Sequence, residues 1–111
     1  MNNCMYMGMG EIVQYTTPTI TITFPTIDVT TISEAYLVFK VNDVTVLTKE
    51  LTDAIVGQKS LAWTLRQVDT GGLPLYKTAR VYCDWLLQDG TRGRSKSADF
   101  TIVETGKSEV I

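Results

Sequence analysis

Histidine is absent from this 111-residue chain, and with it go the commonest general base and the commonest neutral metal ligand. Cysteine occurs only as Cys4 and Cys83, a spacing that forms no metal or redox motif. No stretch approaches the roughly 18 to 20 apolar residues that a membrane-spanning helix needs. Basic charge is not in excess either, since ten basic side chains face twelve acidic ones for a formal charge of −2. That is the wrong sign for binding a phosphate backbone. These absences exclude histidine-based catalysis and argue against membrane spanning and nucleic-acid binding. With 44% hydrophobic and 20% charged residues, what remains is the composition of a globular protein. Its length suits one core of the usual size, about 100 to 150 residues.

The opening MNNCMYMGMG carries no basic stretch, no apolar core and no small-residue cleavage pattern, so it does not read as a secretory signal. All four methionines fall within the first nine residues, which makes Met7 and Met9 alternative starts. Residues 1–9 are expected to form a flexible leader, residues 10–104 a single domain and residues 105–111 a polar tail. A disulfide between Cys4 and Cys83 would require that leader to reach the core. Cys83, within an apolar run, suits the role of a small buried hydrophobe instead.

Beyond Gly10 the dominant period is two, and threonine, valine and isoleucine are abundant, as a half-buried pleated surface favours. In residues 19–24 Ile20, Ile22 and Phe24 share one face and three threonines the other, between Pro18 and Pro25. Residues 11–15 read as a short first strand, and residues 28–33 as a polar connection with room for one helical turn. In residues 34–41 Ala35, Leu37, Phe39 and Val41 form the apolar face, with Tyr36, Val38 and Lys40 opposite. Asn42-Asp43 tolerates the positive φ of a tight hairpin, returning the chain as residues 44–51. Pairing Val41 with Val44 predicts Val46 opposite Phe39.

Residues 60–65 form the next strand, with Leu61, Trp63 and Leu65 on one face. Residues 66–73 are the longest polar connection, with a single helical turn expected at its start. The longest strand candidate, residues 76–88, turns Ala79, Val81, Cys83, Trp85 and Leu87 inward and Arg80, Tyr82, Asp84 and Leu86 outward, and is expected to be central. Asp89-Gly90 signals a hairpin into a last strand over residues 92–103. Seven short strands at this spacing predict an all-β fold, an antiparallel immunoglobulin-like β-sandwich of about seven strands, with a small β-barrel as the alternative. The Cys, Trp, Cys order of an antibody-type domain is missing.

Few residues here suggest chemistry, and no catalytic, cofactor-binding or metal-ligating set is predicted. Cys83 is expected inward, where desolvation makes a thiol inert. Asp84, Asp89 and Asp99 lack the spacing of a calcium loop and read as solvated turn residues. Asp69-Thr70-Gly71-Gly72 lacks the following Lys-Ser or Lys-Thr and reads as a turn, not a phosphate loop. Arg92, Arg94 and Lys96 alternate, so an extended strand would project all three from one face, either to protect a sheet edge or to meet an acidic partner. Tyr36, Val38, Tyr82 and Leu86 are apolar or aromatic on outward faces, to be covered by a loop or by a partner. Together with the three basic residues they form the candidate interface.

Several of these runs carry a resemblance. Tyr15-Thr16-Thr17-Pro18-Thr19, the strand ending Phe24-Pro25, then Tyr36-Leu37-Val38-Phe39, Val46-Leu47-Thr48-Lys49 and Leu86-Leu87-Gln88-Asp89-Gly90-Thr91 resemble a group of small phage and prophage proteins. That group has a "GxTPTxTFxLP" start, a "V-x-x-T-K" strand and a final "T-x-D-G" hairpin. The match runs over residues 10–104; the Met-rich leader, residues 57–60 and residues 92–97 depart from it. The resemblance implies a non-enzymatic virion structural or assembly protein. It would act through contacts with other virion proteins or with itself, first in the bacterial cytoplasm and then in the virion, without nucleic acid, membrane or cofactor. The alternative is an immunoglobulin-like module binding carbohydrate or another ligand, with a sugar stacked on Tyr36, Tyr76 or Tyr82.

Overall fold

The alternation of apolar and polar residues sets the strands of the computed structural model, which describes residues 5–6, 10–106 and 110–111. In chain order they are β1 (Met5–Tyr6), β2 (Glu11–Val13), β3 (Thr19–Thr23), β4 (Ile32–Val41), β5 (Val44–Glu50), β6 (Ile55–Val56), β7 (Ser60–Thr64), β8 (Thr78–Leu87), β9 (Arg92–Arg94) and β10 (Ala98–Val103). One helix, α1 (Gln67–Gly71), follows β7, and two 3-10 turns cover Val29–Thr31 and Leu51–Asp53. The chain is all-β, and no helix among the described residues is long and apolar enough to cross a membrane.

A four-stranded sheet runs β1-β3-β7-β6, and a six-stranded sheet runs β2-β10-β8-β4-β5 with β9 also paired to β8. Inward side chains of both form one core. Ile20, Ile22, Leu61 and Trp63 come from the smaller sheet, and Leu37, Phe39, Val81 and Trp85 are among those from the larger. Phe24 meets Trp85 edge to face, with ring centroids 5.1 Å apart. Gly93 sits opposite Trp85 in the ladder because a Cβ there would lie 2.4 Å from the indole ring.

Strand β8 is central, as expected, between β4 on one side and β10 and β9 on the other. Asn42 and Asp43 take φ values of 52° and 64° and close the β4–β5 hairpin. Elsewhere the structure departs from the sequence expectations. Pairing is not wholly antiparallel, because β2 runs parallel to β10 through Ile12 opposite Ile102. The strands beyond the expected seven are β1, β6 and the product of a break in the last strand. There Ser95 is buried; its hydroxyl accepts from the Cys83 N–H and donates to the Lys96 carbonyl, at 2.8 and 3.0 Å. The Ser95 N–H still donates to the Cys83 carbonyl at 2.8 Å, but the hydroxyl takes the place of a backbone carbonyl as the partner of the Cys83 N–H, and the regular ladder ends at Arg94.

The β4–β5 register also slips. Val41 does pair with Val44, but a bulge places Leu47, not Val46, opposite Phe39. Val46 is left exposed. In the shifted register Lys49 lies opposite inward-facing Leu37. Its ammonium reaches Asp69 of α1 at 3.1 Å, with both side chains nearly buried. Asp69 also accepts from the backbone N–H of Arg66 at 2.9 Å and from its guanidinium. Thr70 beside it is buried and bridges the backbone N–H and carbonyl of Thr16. The helical turn expected at the start of residues 66–73 is α1, and the Asp-Thr-Gly-Gly run that it takes in is a packed corner.

At the ends of the chain, Met5–Tyr6 pairs with β3 at Thr21 and Ile22, where a leader without structure was expected. The rest of that leader, with Cys4, Met7 and Met9, lies outside the described residues, as do residues 107–109 of the tail. The backbone N–H and carbonyl of Ile111 both hydrogen-bond the Gln67 side-chain amide.

Candidate functional site

The outer face of the six-stranded sheet collects most of the residues that parity singles out. Across the β4–β8 seam Val38 lies opposite Tyr82, Tyr36 opposite Asp84 and Glu34 opposite Leu86. The hairpin places Arg94 beside Asp84 and Arg92 beside Leu86. Six of the seven candidates, Tyr36, Val38, Tyr82, Leu86, Arg92 and Arg94, therefore share one surface. Lys96 is the exception: the break at Ser95 takes it out of the ladder and off the arginine stripe.

The face is less open than strand parity alone implies. Tyr82 and Val38 are only 5% and 8% exposed. Arg94 explains the first, for its guanidinium carbon sits 4.2 Å above the Tyr82 ring centre. Asp84 holds it there, accepting from Nε at 2.6 Å and Nη2 at 3.2 Å. Hydrogen bonding to Asp84 raises the Arg94 pKa. The cover that sequence parity left to a loop or a partner is thus, for Tyr82, supplied by a side chain of the chain itself. Tyr36 and Leu86 remain partly exposed.

Tyr36 is ringed by acids. Its hydroxyl donates to Glu34, and Glu50 lies opposite it across the β4–β5 ladder. The hydrogen bond and charge of Glu34, with Glu50 adding to them, raise the phenol pKa. A cleft of about 280 Å³ opens on the β5 side, lined by Ser33, Glu34, Tyr36, Glu50 and Thr52 among others. A smaller one, about 180 Å³, lies on the β8 side and includes Asp84, Leu86 and Arg92. Among the described residues Arg92, Glu34 and Glu50 make no ion pair.

The remaining candidates are placed elsewhere. Asp84 and Asp99 are strand residues paired with Arg94 and Arg80, not solvated turn residues. Asp89 does sit in a turn, accepting from the Thr91 N–H at 2.8 Å. Cys83 is fully buried, and burial first, then the charge of Asp84, pushes its thiol pKa to about 12. The three tyrosines are not gathered into a stacking platform. Tyr82 lies under Arg94, and Tyr76 lies before the start of β8 at Thr78, which is itself about 20 Å along the strand from the level of Tyr36 at about 3.3 Å per residue. Among the described residues no group of histidine, cysteine and acidic side chains could hold a metal ion.

Sequence reasoning missed Glu34 and Glu50 as part of this face. Parity placed Glu34 beside Tyr36, but Glu50 joins them only through the β4–β5 register, which the bulge shifts. No protein-family model matches the chain, and no curated protein matches it in sequence.

Proposed function

We propose that the chain is a non-enzymatic protein–protein interaction module of immunoglobulin-like architecture. It serves as a structural or assembly protein of a phage or prophage virion, and acts through the outer face of its six-stranded sheet. The observation that carries this reading is the gathering of Tyr36, Leu86 and Arg92 on one sheet surface beside Glu34 and Glu50, with Arg92 and both acids in no ion pair among the described residues. Solvated sheet faces are rarely built so, and such patches are characteristic of interfaces. Immunoglobulin-like architecture is supported by strand order. One sheet follows β1-β3-β7-β6, the other β10-β8-β4-β5, and these match the ABED and GFCC′ arrangement of variable-type domains. The sandwich does without the inter-sheet disulfide: Cys83 is a free thiol, and the inward residues of β3 are Ile20 and Ile22. The virion setting rests on the sequence resemblance. Mass spectrometry of intact particles from induced prophages tests it. Stoichiometric recovery of this chain is the expected result, and absence from particles despite abundance in the lysate would sink the structural role.

A further inference from the structure

We propose that the partner for this face is a second copy of the chain, related by a two-fold axis running along the β4–β8 seam. The inference rests on reading the face as an interface and goes on to name its occupant and geometry. Along the seam the strands are arranged symmetrically, with β8 then β9 on one side and β4 then β5 on the other. A two-fold parallel to the strands, with the faces opposed, lays β9 of each copy over β5 of the other.

The charges make that superposition favourable. Arg92 lies on β9 at the level of Leu86 and Glu34. The same level on the β5 side falls just beyond Glu50, at the cleft between Glu34 and Glu50 beside Tyr36. The two-fold therefore brings each Arg92 to a site offering two carboxylates and an aromatic ring, the groups that a guanidinium satisfies best. Among the described residues neither Arg92 nor either carboxylate makes an ion pair, and the contact is made twice, as an isologous interface requires. A two-fold across the strands at the Val38–Tyr82 level would instead carry each β9 over β10 of the other copy, away from Glu34 and Glu50.

The area is sufficient. Four strand positions about 4.8 Å apart and at most ten residues of about 3.3 Å each make a face of roughly 600 Å², the lower end of what one partner contributes to a standard interface and enough for a reversible dimer. Val38 and Tyr82, opposite one another across the seam, lie on the axis, with Tyr36 and Leu86 around them.

Sedimentation velocity over a wide concentration range, on the full chain and on Arg92→Glu, Glu50→Arg and the double exchange, tests the proposal. A reversible dimer is expected, weakened roughly tenfold or more by each single reversal and restored by the exchange. Circular dichroism confirms that each variant folds, as these exposed sites should allow. A dimer indifferent to both reversals would overturn the two-fold geometry. A chain monomeric at every concentration would overturn the second copy as occupant, while leaving particle incorporation to judge the interface reading by itself.

Discussion

The α1 corner and the outer sheet face both join an arginine to an aspartate, and the two pairs do different work. In the corner, Asp69 is 8% exposed and accepts from Lys49, the Arg66 guanidinium and the Arg66 backbone. On the face, Arg94 and Asp84 form a two-pronged pair open to solvent. The first ties β5 of one sheet to the helix that follows β7 of the other, beside a second tie from the Trp63 indole N–H to the Glu50 carbonyl at 2.9 Å. The second shapes a surface. The same pairing chemistry therefore holds the fold together where water is excluded and only shapes a surface where it is not, because desolvation decides how much a lost partner costs.

The contrast is broken most forcefully at Asp69. Asp69→Ala strands the Lys49 ammonium, itself nearly buried, and is expected to cost about 3 to 5 kcal/mol in urea unfolding. A companion measurement uses acid. Burial acts to raise the Asp69 pKa, but hydrogen bonds from the Arg66 backbone and guanidinium and from Lys49 more than offset it, so the folded value lies below the ordinary one. A lowered folded pKa contributes stability that is complete above the unfolded value of about 3.9 and lost as pH falls through the folded value. The stability gap between the native chain and Asp69→Asn is expected to close below about pH 4. A gap constant down to pH 2 would show that the carboxylate charge is not what holds the corner.

Next in size is Gly71→Ala. A Cβ at Gly71 would lie 2.3 Å from the Tyr15 ring, which packs across the corner. Displacing that ring is expected to cost about 1 to 3 kcal/mol, as overpacking does, measured by thermal melting with Tyr15→Ala/Gly71→Ala as the compensated control.

The corner was the less legible of the two regions. Period-two patterning placed Leu37, Phe39, Val81, Cys83 and Trp85 inward, and all are buried. The Asn42-Asp43 and Asp89-Gly90 turns are likewise local signals, carried by residues that suit hairpins. What could not be read is what depends on partners far along the chain. The bulge that exposes Val46 and turns Lys49 inward answers to Asp69, 20 residues away. The parallel pairing of β2 with β10 and the break at Ser95 are set by the β8 and β10 ladders, not by any local period. The face was legible as a list of outward residues but not as a charge pattern, since strand parity says which side a residue takes and not which neighbour it meets.

On the face, Arg94→Ala removes an exposed pair and is expected to cost no more than about 1 kcal/mol. Its larger consequence is to uncover the Tyr82 ring. Tyrosine iodination or photochemical labelling should then mark Tyr82 in the variant and spare it in the native chain, with Arg94→Lys intermediate because an ammonium cannot lie flat over the ring and grip Asp84 with two prongs. Unchanged labelling would mean that something other than the guanidinium shields Tyr82.

Arg80 and Asp99 supply the smallest effect and the sharpest limit to the contrast. They are paired at 3.3 Å on the same sheet face, with side chains 62% and 55% exposed. There is no aromatic ring beneath Arg80 to cover: the only guanidinium–ring stack among the described residues is that of Arg94 on Tyr82. Arg80→Ala is accordingly expected to leave stability within about 0.5 kcal/mol in thermal and urea unfolding. It should also leave Tyr82 protected, whereas Arg94→Ala does not. If Arg80→Ala instead destabilised the fold as much as Arg94→Ala, the cost would belong to any charge pair on this sheet, and Arg94 would lose its distinct part in covering the Tyr82 ring.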